Sequence, residues 1–191
     1  MFTGIITATG TITKRTESTL SFKVPESYPL FLGASIAVNG TCLTVVRQEK
    51  DIIHTDILAE TWKRTSLGNL HEGNLVNLEL PAAINGRLDG HIVQGHVDGV
   101  GHIQAIAEGP LGHTVEIIPP PDLLKYMVIK GSISVDGIAL TITNLTEDSF
   151  SFEAIPHTWQ ITNLNDKSVG DTVNLEVDVI AKYVERLMMF R

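Results

Sequence analysis

Three side chains in this sequence join reactive chemistry to a position of their own: Cys42, His96 and Asp178. Cys42 is the only cysteine. A thiol there could act as a polarisable nucleophile or hydrogen-bonding partner if its pKa were lowered. A lone cysteine is equally a small buried side chain in a strand. The His96 imidazole can move protons near neutral pH, or it can be a strand histidine bonded to a neighbouring carbonyl. Asp178 could orient a histidine or accept from a ring N–H, and it could equally cap the helix that follows it. His91 lies five residues before His96, and positions five apart on one strand face opposite sides. The pair is therefore a poor chelate, and no Cys/His/carboxylate cluster supports a metal such as zinc. His91, His102 and His113 read as surface or structural residues.

An internal repeat sets those three apart. Ser35–Thr44 reads SIAVNGTCLT and Ser132–Thr141 reads SISVDGIALT, an offset of 97. Glu60–Leu80 (ETWKRTSLGNLHEGNLVNLEL) answers His157–Val177 (HTWQITNLNDKSVGDTVNLEV) at the same offset. Gly4-Ile5-Ile6 and Gly10-Thr11-Ile12 answer Gly95-His96-Val97 and Gly101-His102-Ile103 at an offset of 91, so the second half carries six extra residues, expected around Glu108–Pro121. Two repeats of this length suggest two small domains rather than a solenoid. Under the repeat, Cys42 faces Ala139, His96 faces Ile5 and Asp178 faces Pro81. Residues shared by the halves serve the fold or a common ligand; residues confined to one half are candidates for asymmetric chemistry.

The elements that must position them read as β. Short runs rich in Val, Ile, Thr and Leu alternate with Gly, Asn and Asp, the pattern of strands and turns. Asn39-Gly40 and Asp136-Gly137 lie between apolar runs, where a tight hairpin turn belongs. The expected fold is all-β: two tandem homologous six-stranded Greek-key barrels plus a C-terminal helix, divided as residues 1–87, 88–178 and 179–191. Pro25–Leu32 and Pro121–Met127 are expected to be helical, with a further turn at Thr65–Gly68. In the tail, Ile180, Tyr183, Val184 and Leu187 fall at helical spacing. That stripe could pack on its own barrel or make a subunit contact. Trp62 and Trp159, paired by the repeat, read as packing residues.

Bulk properties narrow the partners. The net charge of −8 comes without a basic run, which argues against nucleic acid. No run approaches the ~18 apolar residues of a membrane span. The N-terminal MFTGIITATG lacks the features of a secretory signal, and a single cysteine excludes an internal disulfide; a cytoplasmic protein is expected.

MFTGII, SIAVNGTCLTV, ETWKRTSLG, GHIVQGHVDGVG, KGSISVDGIALT and VNLEVD resemble, in that order, the alpha chains of the riboflavin synthase family. The resemblance spans nearly the whole chain. It implies a transferase without metal or cofactor that takes two molecules of 6,7-dimethyl-8-ribityllumazine. One gives a four-carbon unit to the other, yielding riboflavin and 5-amino-6-ribitylamino-pyrimidinedione. It also implies a homotrimer held by C-terminal helices, with the active site between the first barrel of one subunit and the second of a neighbour. Lumazine synthase is a candidate partner.

The resemblance marks His96, Cys42, Asp178 and Phe2 as catalytic, His96 as a base for the acidic 7-methyl group or as an anchor for the ring. Substrate contacts are expected from Gly4, Ile5 and Ile6 and their repeat mates Gly95, His96 and Val97. They are expected also from Ser35, Cys42, Leu43, Thr44, Asp56, Glu60 and Thr61 in the first half. In the second half they are expected from Lys130, Ala139, Leu140, Thr141, Ile155, Pro156, His157, Thr158 and Gln160. One departure stands out: Ala139 occupies a position where many relatives have serine. Two other readings exist. One is a non-catalytic binding module like the lumazine proteins of luminous bacteria, against which Cys42, His96 and NGTCLT speak. The other is the barrel of a flavin-dependent reductase, for which no nucleotide-binding segment is present.

Overall fold

The structure, a computed structural model, describes residues 1–190. The first barrel comprises β1 (Ala8–Arg15), β2 (Thr19–Lys23), β3 (Ser35–Val38), β4 (Thr41–Glu49), β5 (Ile52–Asp56) and β6 (Leu75–Glu79). The second comprises β7 (Gly99–Gly109), β8 (Gly112–Ile118), β9 (Ser132–Val135), β10 (Ile138–Leu145), β11 (Phe150–Ala154) and β12 (Thr172–Val177). Each sheet closes on itself, in the order β1-β2-β5-β4-β3-β6 and its repeat equivalent β7-β8-β11-β10-β9-β12. Closure removes the open edges that would otherwise template aggregation.

Alternation along the strands builds the cores. Ile36, Val38, Leu43 and Val45 point into the first barrel with Phe22, Ile53, Val76 and Leu78. Each fully buried large side chain contributes roughly 1.5–3 kcal/mol. Cys42 and Thr44 therefore face outward, with Ala37 and Ser35 opposite them in the β3–β4 ladder. Register shifts bend matching strands at Ile12/Lys14 and Ile103/Ala105, and again at Val45/Arg47 and Ile142/Asn144; such bulges sharpen the curvature a small barrel needs. The six extra residues lie where the repeat places them. Thr11 pairs with Lys23, whereas its equivalent His102 pairs with Ile118, so the β7–β8 hairpin is longer by four. The rest fall between β8 and β9.

The expectation of a helix at Pro25–Leu32 is wrong. The segment is a chain of turns in which Tyr28 donates to the Pro25 carbonyl and Ser27 has φ 61°. Pro29 lacks an N–H and forces the residue before it away from helical conformation. Its counterpart is a 3₁₀ turn at Pro121–Tyr126. Two short helices fall beyond what the pattern announced, α1 (Ala59–Arg64) and α2 (Pro156–Ile161). The turn expected near Thr65–Gly68 follows α1 as 3₁₀ structure at Ser66–Asn69.

The barrels meet about an approximate two-fold. The turns Asn39-Gly40 and Asp136-Gly137 have positive φ at both residues, as a two-residue hairpin requires. They touch tip to tip: a Cβ on Gly40 would lie 2.7 Å from Gly137 N, and one on Gly137 equally close to Gly40 N. Around them Asn77, Asn163 and Asn174 cross-link the halves. Asn77 Nδ2 donates to Asn163 Oδ1 (2.8 Å), Asn163 N to Asn77 Oδ1 (2.7 Å) and Asn174 Nδ2 to the Asn39 carbonyl (2.7 Å), while within the second half Asn163 Nδ2 donates to Asp136 Oδ2 (2.9 Å). This buried network is nearly saturated, as buried polar groups must be.

The leading segment of each half crosses to the other barrel. Phe2 and Val93 exchange backbone hydrogen bonds where the two segments run antiparallel. The Gly4 carbonyl then accepts from Ala139 N (2.8 Å), and the Gly95 carbonyl from Cys42 N (2.9 Å). Ile6 packs into the core of the second barrel. Last comes α3 (Val179–Met188). Its polar face is tied to the second barrel by Lys182–Asp98 (2.8 Å) and by Glu185, which accepts from Lys125 and Tyr126. Ile180, Tyr183 and Leu187 are exposed by 60–70%, so the stripe does not cover its own barrel.

Candidate active site

The exchanged segments create the site. Where Gly95–Val97 passes over the outer face of β4, a cavity of about 210 Å³ opens, lined by Thr41, Cys42, Glu60, Thr61, Arg64, Thr65, Gly95, His96 and Val97. It unites the thiol and the imidazole that the repeat had singled out, from residues 54 positions apart in the chain. Gly95 makes the close passage possible. Its φ is +82°, and any Cβ would meet Cys42 Cβ at 2.6 Å and Phe2 Cε2 at 2.9 Å. One wall is α1, whose Arg64 Nε donates to Glu60 Oε1 (2.8 Å). That bond, with the adjacent guanidinium charge, holds the Glu60 carboxyl below its ordinary value. Thr65 donates its hydroxyl to the Thr61 carbonyl (2.7 Å), as Thr162 does to Thr158 in the other half; these hydroxyls are used up by the helices they follow.

The second cradle is built from repeat-equivalent parts. Gly4–Ile6 passes over β10 at Ala139, and α2 supplies Pro156, His157, Thr158 and Gln160, with Ile155 at its N-terminus. Gly4 has φ +78°, and its Cβ would lie 2.6 Å from that of Ala139. Ile5 stands where His96 stands in the first cradle, and Ala139 where Cys42 does. Thr44 and Thr141 are exposed on the outer faces of β4 and β10, paired with Ser35 and Ser132. Leu43 and Leu140 point inward to the cores. Asp56 is exposed at the end of β5, opposite Thr19. Lys130 is exposed with φ 68°, its N–H bonded to the Ile142 carbonyl beside Thr141.

Phe2 is 1% exposed and packs with Ala37, Val93 and Cys42. It forms the floor beneath Gly95 and Cys42. Asp178 caps α3, accepting from Ile180 N at 2.9 Å. The histidine that feels its charge is His91, which is buried, the structural rather than the surface alternative. Burial pushes the His91 pKa down, and Asp178 partly opposes this. Trp62 and Trp159 pack against the two cores, and Trp159 stacks on His113 at 3.8 Å.

Sequence reasoning missed the two residues that hold the exchanged segments. Glu79 and Glu176, in the shared VNLE motif, are 3% exposed. Glu176 accepts from Gln94 N (2.7 Å), Gly95 N (2.9 Å) and His96 N (3.1 Å). Glu79 accepts from Thr3 N (2.6 Å), Thr3 Oγ1 (2.8 Å) and Gly4 N (3.0 Å). Burial pushes both carboxyl pKa values up, against the opposing pull of the N–H donors. By strand alternation both fall on the outward face, beside inward Leu78 and Leu175, so the pattern did not mark them as buried. Arg64 was missed as well. Among the described residues, no three His, Cys, Asp or Glu side chains converge on a potential metal site.

The family model of the lumazine binding domain matches residues 3–81 and 94–178. The chain is 47% identical over 197 residues to the riboflavin synthase of Mycobacterium tuberculosis, covering 98% of each protein. It is 45% identical over 193 residues to that of Bacillus subtilis strain 168, covering 98% of this chain and 90% of the relative. Among solved structures it resembles LumP complexed with 6,7-dimethyl-8-(1'-D-ribityl) lumazine, at a TM-score of 0.84 and 27% identity over 93% of this chain and 99% of that one. LumP complexed with riboflavin gives the same TM-score at 29% identity, with the same coverage.

Proposed function

The chain belongs to the riboflavin synthase family, and we propose that its two unlike cradles are the two halves of one reaction centre. It is a transferase that converts two molecules of 6,7-dimethyl-8-ribityllumazine into riboflavin and 5-amino-6-ribitylamino-pyrimidinedione by four-carbon transfer. The observation that carries the reading is the reciprocal exchange. It makes two equivalent lumazine cradles, and only the first receives a thiol and, on its exchanged segment, an imidazole.

A dismutation suits that design. Two identical substrates need two similar pockets, yet one must donate what the other accepts. Both pockets can hold a pteridine edge by the backbone of the exchanged segment and by the helix at its wall. In the first, His96 removes a proton from the 7-methyl group or fixes the ring for its removal, with Cys42 alongside. The loss of a hydroxyl at Ala139 leaves Thr141 as the nearest hydroxyl on that strand face. Holding the pair together turns a bimolecular encounter into a positioned one, where effective molarities reach about 10⁵–10⁸ M.

The reaction centre forms when the first cradle of one subunit faces the second cradle of a neighbour. The exposed stripe of α3 supplies the contact for a homotrimer, with 1–87, 88–178 and 179–191 as barrel, barrel and assembly helix. A cytoplasmic location fits the product's place in flavin formation, and lumazine synthase is the partner that would supply substrate. No helix among the described residues is long and apolar enough to cross a membrane.

The test is to give the purified chain 6,7-dimethyl-8-ribityllumazine alone and follow absorbance and fluorescence. Riboflavin should appear, one molecule for each two lumazines consumed. Tight binding without turnover would instead establish a carrier of the chromophore and overturn the enzyme reading.

A further inference from the structure

Glu79 and Glu176 sit at repeat-equivalent ends of β6 and β12, nearly sealed from solvent. Neither forms an ion pair within 4 Å among the described residues. Glu176 has Lys182 and Asp98 in its surroundings, but Lys182 is bonded to Asp98 instead. A buried carboxylate without a paired cation is costly. What compensates is a concentrated set of donors, three per carboxylate, all from residues of one exchanged segment. For Glu176 all three are consecutive backbone N–H groups, ending on His96 itself. An apolar side chain in these positions would leave the segment's N–H donors unpaired, so each carboxylate and the path of its segment go together.

We propose that the two glutamates are positioning residues, one for each pocket. Each carboxylate locks the backbone of the segment at the point where it leaves its own barrel, and so sets how that segment lies over the other barrel's ligand face. Glu176 thereby fixes the place of the His96 ring over Cys42. Glu79 fixes Gly4 and Ile5 over Ala139. Neither touches substrate. This rests on the reaction reading above, and it divides the two residues by function. The Glu176 segment carries a reactive side chain, so its looseness costs rate, since misplacing a catalytic group by about 1 Å can cost 10²-fold. The Glu79 segment carries no group that can move a proton, only the apolar Phe2 in the floor of the first cradle, so its looseness costs substrate binding.

The test compares Glu176→Gln and Glu79→Gln with the unaltered protein, using steady-state turnover, fluorescence titration with 6,7-dimethyl-8-ribityllumazine and thermal melting. Glutamine keeps the shape but removes the charge and leaves one acceptor oxygen for three donors. Glu176→Gln should lower kcat by about 10²-fold with KM changed by less than about 3-fold. Glu79→Gln should raise KM by about 10-fold with kcat nearly unchanged. Both should melt within a few degrees of the parent, because the buried charge is itself a burden on the fold. Equal effects of the two changes on kcat and KM, or loss of stability without that split, would overturn the proposal. Should Glu176→Gln fail to fold, Glu176→Asp keeps the charge and draws the acceptor back; it must show the same kcat-selective loss. If the unaltered protein binds lumazine but makes no riboflavin, the reaction reading falls. The positioning roles are then judged by titration, where each variant must weaken one class of site and unchanged binding overturns them.

Discussion

The hydrogen bond that holds His96 runs from its backbone to Glu176, which leaves the imidazole to the pocket. Replacing His96 with alanine should therefore slow turnover by about 10²–10⁴-fold, the span of general acid–base catalysis, while lumazine affinity changes little. A comparable loss in affinity and rate would make it a binding residue only. His91 behaves oppositely. Its pKa is held below the ordinary 6.5 by burial, so the unfolded chain takes up a proton that the folded chain resists. Its contribution to stability is present above pH 6.5 and is lost as pH falls below that value. The buried Glu79 and Glu176 act with the opposite sign, favouring the fold below their ordinary 4.5 and losing that as pH rises. A melting series from pH 7.5 to 5.5 should show a falling midpoint that His91→Asn flattens; parallel slopes would dismiss it. Cys42 and His96 were legible as candidates because the repeat gave each a silent partner. Their meeting was not legible, because it depends on a crossing that brings residues from different halves together. The glutamates escaped notice because both halves share them, and sharing suggests a role in folding only.

Among the elements, turns were the easiest to read and short helices the hardest. Asn-Gly and Asp-Gly demand positive φ and announce themselves. Pro25–Leu32 has apolar spacing compatible with a helix, but its second proline decides the matter. The helices α1 and α2 are six residues each, too short to form without the barrel they lean on. The exchange of leading segments left no sequence trace, since Gly4-Ile5-Ile6 and Gly95-His96-Val97 look like the starts of their own first strands. Gly95→Ala probes that element directly. With φ +82° and Cys42 Cβ in the way, it should cost about 1–3 kcal/mol from backbone strain, read as a lower melting temperature, and remove most activity by lifting the segment. A fully active Gly95→Ala protein would mean that the close passage is not required.

At the scale of the molecule, the duplication supplies two pockets and their divergence supplies chemistry. Two identical halves would give two equal binding sites and no distinction between donor and acceptor. On the proposed reading the two unlike cradles meet across a subunit interface, which is why α3 matters. Leu187 is 70% exposed on its stripe, and Leu187→Glu should dissociate the proposed trimer to monomers in sedimentation and abolish turnover while sparing lumazine binding. Monomers with full activity would contradict a shared site. The most direct test coexpresses two variants, each with one pocket filled. Thr61→Phe blocks the first cradle and Thr158→Phe its repeat equivalent, so each variant alone should be inactive. In mixed trimers, an interface that pairs the intact first cradle of one chain with the intact second cradle of its neighbour is restored. Random assembly predicts on the order of a quarter of parental activity per interface. Recovery near that fraction is the expected result; mixed trimers as inactive as either variant would contradict a reaction centre shared between subunits.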